Sequence, residues 1–95
     1  MTNVQQLLGT WKVIEDPFNP TEETFYVFNE MGDLTMTFRT KGGTQYIFLT
    51  YVLEGETLIT DQPTAPKIEK AKVQIDGDMM TLDHEGAITR LQKIS

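Results

Sequence analysis

Ninety-five residues, 39% apolar and 23% charged, are enough for one small globular domain spanning 1–95 and leave no room for a second core. Eight Lys and Arg against fourteen Asp and Glu give a net charge of -6, which opposes a nucleic-acid partner, because binding a phosphate backbone needs clustered cations. The chain has no cysteine, which excludes a disulfide framework and thiolate metal sites, and no run of about 18 apolar residues that would span a membrane as a helix.

Residues 1–6, Met-Thr-Asn-Val-Gln-Gln, carry neither a basic nor an apolar signal region, so the expected location is cytoplasmic. One short helical turn is expected over Val4 to Leu8, packing Leu7 or Leu8 under the domain. From there the hydrophobic period is two almost everywhere. Turn residues recur about every 8 to 12 positions, the pattern of an all-β sandwich or barrel.

Gly9 to Glu15 is the first expected strand and Glu23 to Phe28 the second. Asn29-Glu30-Met31-Gly32 turns the chain. Leu34, Met36 and Phe38 then alternate with Thr35, Thr37 and Arg39, the pattern of a half-buried strand. Lys41-Gly42-Gly43 is a turn, Gln45 to Leu53 a strand, Glu54-Gly55 a turn, and Thr57 to Thr60 a strand. After the loop Asp61 to Pro66, Ile68 to Ile75 is a strand. Asp76-Gly77 is a strong hairpin signal. Met79 to Asp83, a turn at Glu85-Gly86, and Ala87 to Ile94 complete the order. Eight strands joined mostly by tight turns pair antiparallel with their neighbours. Closing the meander into a barrel removes both open edges.

Two connections are longer and stiffened by proline: residues 16–22, Asp-Pro-Phe-Asn-Pro-Thr-Glu, and residues 61–66, Asp-Gln-Pro-Thr-Ala-Pro. They are the candidate lips of an open barrel end. Phe25, Tyr26, Phe28, Met36, Phe38, Tyr46, Phe48, Tyr51, Met79 and Met80 are available to line a pocket. A small barrel with strands of about five to nine residues is expected to be mostly filled by its own side chains. The strands at 23–28 and 45–53 are apolar on both faces. One face of each must lie outside, where a homodimer, or Phe18 folding back, would cover it.

Chemistry is sparse. His84, the only histidine, stands in Asp83-His84-Glu85 at a hairpin turn, where a histidine is usually exposed. No serine precedes Ser95, no nucleophile or phosphate motif is present, and Glu22-Glu23 diverge across a strand. The expectation is a protein that is not an enzyme and carries no metal or cofactor.

Leu7-Leu8-Gly9-Thr10-Trp11-Lys12-Val13 opens the first strand and Thr89-Arg90-Leu91-Gln92-Lys93 lies in the last. This pairing of a Gly-x-Trp with a C-terminal arginine resembles the lipocalin-like, or calycin, superfamily, in particular its short bacterial-type members. The resemblance implies a closed up-and-down barrel whose Trp11 crosses the closed end, with Arg90 on the indole face. Fatty-acid-binding proteins instead hold a ligand carboxylate with an arginine in a Thr-Arg-x-Tyr segment, and here Gln92 stands at the tyrosine position. The register of the last hairpin decides where Arg90 points. A two-residue turn at Glu85-Gly86 sends it out; a glycine bulge sends it in. The residues leave both open, and the resemblance favours the second.

The function expected on these grounds is non-catalytic binding of a small apolar or amphipathic ligand at the barrel mouth. Arg90, Phe38, Met36, Tyr46, Arg39 and Phe18 are the candidate contacts. The alternative is a protein-interaction module using the exposed apolar strand face.

Overall fold

The structure, a computed structural model, describes residues 3–16, 23–64 and 67–95. Its strands are β1 (Gly9–Glu15), β2 (Glu23–Phe28), β3 (Asp33–Thr40), β4 (Gly43–Glu54), β5 (Thr57–Asp61), β6 (Ile68–Asp76), β7 (Met79–His84) and β8 (Ala87–Lys93), preceded by one helical turn, α1 (Val4–Leu7). Each strand pairs antiparallel with the next, and β8 returns to β1 to close the barrel. The ring is closed, although β5 pairs β4 only over Thr50–Glu54, so the Gly43–Leu49 half of β4 pairs with β3 alone.

A meander alternates its connections between two ends. The turns after β2, β4 and β6 lie at one end with α1 and the C-terminus. The connections after β1, β3, β5 and β7 form the other. β1 and β5 therefore end, and β2 and β6 begin, at the same end of the barrel. β4 runs for 12 residues, longer than the sequence pattern suggested, because the two-residue turn at 41–42 pairs Thr40 directly with Gly43.

The end carrying α1 is plugged. Helix α1 is too short to hold itself together and depends on its caps and on docking. Asn3 and Gln6 form a reciprocal capping box, with the Gln6 amide donating to Asn3 Oδ1 at 3.2 Å and the Asn3 amide to Gln6 Oε1 at 2.9 Å. Leu7 is wholly buried, and Trp11 Nε1 donates to its carbonyl at 2.8 Å. That bond satisfies the one polar group of a fully buried indole. Between the two, Gly9 has φ +120° and lies against the Ser95 carbonyl, where a Cβ would overlap it. The Thr10 amide donates to that same carbonyl at 3.1 Å. Glycine precedes the tryptophan because the chain terminus crosses there.

Above this floor sit Phe28, Leu34, Tyr51, Leu58, Val73, Met80, Leu82 and Leu91, all buried. Phe28 and Tyr51 meet edge to face at 5.1 Å between centroids. The Tyr51 hydroxyl donates to the Asn29 carbonyl, and its amide to the Gly32 carbonyl at 2.9 Å, tying the β2–β3 turn to β4.

A candidate ligand cavity at the barrel mouth

The opposite half of the barrel is hollow. A cavity of about 360 Å³ opens towards the connections after β1 and β5. This corrects the expectation of a mostly filled interior, and the cause is the size of the inward residues. Thr60, Ala71 and Thr89 are short side chains on β5, β6 and β8 facing the larger Tyr26, Met36, Phe38, Ile47 and Leu49 on β2, β3 and β4. Leu34, Leu58 and Leu82 complete the lining. The tryptophan is not part of it.

Charges gather at the rim. Asp16, Gln62, Lys67, Glu69, Lys70 and His84 border the opening. Glu69 lies between two side chains: Lys67 Nζ is 3.1 Å from Oε1, and His84 Nε2 is 3.6 Å from Oε2. His84 Nδ1 is 2.9 Å from the Lys70 carbonyl, which can only accept, so that nitrogen carries a proton. The Lys67 amide donates to Asp61 Oδ1 at 3.2 Å. These bonds join the two ends of the β5–β6 connection to β7.

Deeper in the wall is Tyr26. Its phenol is pushed up to about 12, first by burial and then by the carboxylates of Asp16 and Glu69. It therefore remains a protonated hydroxyl near neutral pH, able to donate one hydrogen bond.

The expected contacts divide cleanly. Met36 and Phe38 line the cavity. Phe18 lies outside the described residues. Three others do not face the cavity. Tyr46 is 59% exposed on the outside of β4, its ring parallel to that of Phe48. Arg39 lies outside on the Phe25 ring, 5.3 Å from its centroid. Arg90 also points outward, with Nε 3.7 Å from a Glu15 carboxylate oxygen.

The reason for Arg90 is the last hairpin. Glu85 and Gly86 have φ +53° and +91°, so His84 pairs with Ala87 across a two-residue turn. Both central residues have positive φ, as a type I′ turn requires. Gly86 donates its amide to Asp83 Oδ1 at 2.8 Å, which steadies the turn. Leu91 and Lys93 then share the inward face, and Lys93 takes the position over the indole, with Nζ 5.6 Å from the ring centroid. The same register keeps His84 in β7, where its side chain is exposed as expected and borders the cavity rim.

Sequence reasoning passed over Glu69, Lys67 and His84 as site residues. Their signal was alternation: His84 stands two residues after Leu82 on β7, and Glu69 two before Ala71 on β6, each on the inward face. Among the other aromatic and methionine candidates, Tyr26 lines the cavity, while Phe28, Tyr51 and Met80 belong to the packed core. Phe25, Phe48 and Met79 fall on outward positions of their strands.

No family model and no curated protein matches the sequence. Solved structures do match the fold. A lipocalin-like protein from Bacteroides uniformis superposes with a TM-score of 0.76 at 18% identity, over 94% of this chain and 99% of that one. An uncharacterized protein from Bacteroides eggerthii gives 0.75 at 15% identity, over 93% and 99%. With eight meandering strands closed on themselves and these neighbours matched end to end, the chain has the lipocalin-like barrel fold.

Proposed function

We propose that the protein binds a small apolar ligand, without catalysing a reaction on it, in the hollow mouth half of the barrel. The observation that carries this reading is the cavity itself. Its volume, about 360 Å³, falls within the range of about 300–1,000 Å³ typical of ligand sites. Its wall is mainly apolar, and its inner polar groups are the neutral side chains of Tyr26, Thr60 and Thr89. Burial of apolar ligand surface supplies the affinity, and one or two hydrogen bonds fix the orientation.

The charge distribution favours an uncharged polar group on the ligand. Among the described residues no arginine lines the cavity, and the two lysines at its border lie on exposed positions of the rim. A carboxylate carried inward would lose water and meet the Tyr26 phenol, which already feels two carboxylates. A carbonyl, ether or hydroxyl meets a donor there at no such cost.

The test is calorimetric titration with medium-chain alcohols and the matching carboxylates, with Ala71→Trp as the cavity-filling control. Alcohols are expected to bind saturably, with the carboxylates weaker and the filled variant silent while still folded. Equal, unsaturable heats for the native and filled proteins would overturn the reading.

A second reading, a protein-interaction module, is favoured by one separate observation. Tyr46, Phe48 and Val52 stand 59%, 66% and 57% exposed along the outside of β4.

A further inference from the structure

We infer that the outer face of β3 and β4 seats a second copy of this chain, about a two-fold axis lying in that face and running across the strands. The inference deepens the interaction reading and is independent of the cavity.

The apolar part is a strip. Tyr46 and Phe48 stack on one another, 6.4 Å between centroids and 13° between planes. Thr37 and Thr35 are their partners on β3, and short threonines leave the rings standing proud of the sheet. Val52 continues the strip along β4. The rings point away from the sheet, so the contact that buries them is face to face.

The ends of the strip carry opposite charges. At the mouth end are Arg39 and Lys41; at the plugged end are Asp33 and Glu54, closing the same two strands. Arg39 is laid along the sheet by the Phe25 ring beneath it. A two-fold axis across the strands puts β3 on β3 and β4 on β4 in opposite directions. Arg39 then meets the second copy's Asp33, Lys41 approaches its Glu54, and the stacked rings meet in the middle. A two-fold along the strands would set basic end on basic end. The surface is thus self-complementary in one of its two face-to-face arrangements, which is what an isologous interface requires. A lipid surface is the other candidate occupant of an apolar strip, and a chain of net charge -6 is repelled by anionic bilayers.

The experiment is sedimentation equilibrium of the full chain, with circular dichroism and Trp11 emission as folding controls. A dimer is expected, and Phe48→Asp is expected to weaken it at least tenfold. Lys41→Glu is expected to dissociate it. Glu54→Lys is expected to do the same, although it lowers the net negative charge and would strengthen any association limited by general repulsion. The Lys41→Glu/Glu54→Lys double variant restores the native net charge and is expected to restore the dimer. The inference is overturned by a native chain that stays monomeric up to about 1 mM, by a dimer that survives Phe48→Asp, or by a double variant no better than either single one. Binding to neutral vesicles by a monomeric native chain would assign the strip to lipid instead.

Discussion

Lys93 holds its ammonium 5.6 Å from the centre of the Trp11 ring, on the inner face of the strand pair that closes the barrel. The indole is wholly buried, and its Nε1–H is taken by Leu7. The cation thus covers the remaining ring surface where the chain ends meet. Arg90, one strand face away, interacts with Glu15 in solvent.

The two cations should therefore behave differently on truncation. Lys93→Ala is expected to lower stability by about 1 kcal/mol, from the lost cation–ring contact and the lost cover of its stem. Arg90→Ala is expected to change it by less than about 0.5 kcal/mol, since exposed ion pairs contribute little. Urea unfolding followed by Trp11 emission measures both. Equal losses would show that the indole does not distinguish them.

Gly9 admits no side chain. Gly9→Ala forces an L-residue to φ +120° and drives its Cβ into the Ser95 carbonyl. The expected cost is at least about 2 kcal/mol. Gly55→Ala provides the contrast, because its position is open to solvent although its φ is +60°. It is expected to cost about 1 kcal/mol, from backbone conformation alone. A thermal melt of the two variants separates conformational strain from steric overlap.

The strand plan was legible because each element carried a local signal. Alternation marked Leu34, Met36 and Phe38, and a glycine marked each tight turn. Direction was not local. Tyr46 and Ile47 look equally able to face inward, and only the two-residue turn at 41–42, coupling Phe38 to Gln45, decides that Ile47 goes in. Arg90 failed for the same reason: a one-residue choice at Glu85-Gly86 inverts the whole strand. The hollow was hidden for another reason. It results from small residues on β5, β6 and β8 meeting large ones across the barrel, a long-range sum that no window of sequence contains.

The Tyr26 phenol couples the cavity to alkaline stability. Its pKa is about 12 in the fold against 10.0 in an unperturbed chain. Below pH 10 both states are protonated, and the fold keeps its full stability. Between about 10 and 12 the unfolded chain ionises while the folded one resists, so stability falls as pH rises, by about 2–3 kcal/mol in total. Urea midpoints measured at several pH values across that window should decline. In Tyr26→Phe the part of the decline due to this residue should vanish. An unchanged slope in Tyr26→Phe would remove Tyr26 as its cause.

Glu69→Gln tests how the rim acts on the wall. The substitution removes the carboxylate that Lys67 and His84 share and one of the two charges raising the Tyr26 pKa. Burial is the larger cause and is left in place. The Tyr26 midpoint, followed by ultraviolet difference titration, is therefore expected to fall only part of the way from about 12 towards 10.0. Stability at neutral pH should change by less than about 1 kcal/mol, because the pairs at the rim are exposed to water and screened. The affinity for an uncharged ligand should stay within about threefold, which is less than a single hydrogen bond contributes. A carboxylate ligand should gain instead, having one fewer like charge to approach. If Glu69→Gln abolished alcohol binding while leaving the Tyr26 titration untouched, the ligand would be held at the rim and not in the hollow beneath it.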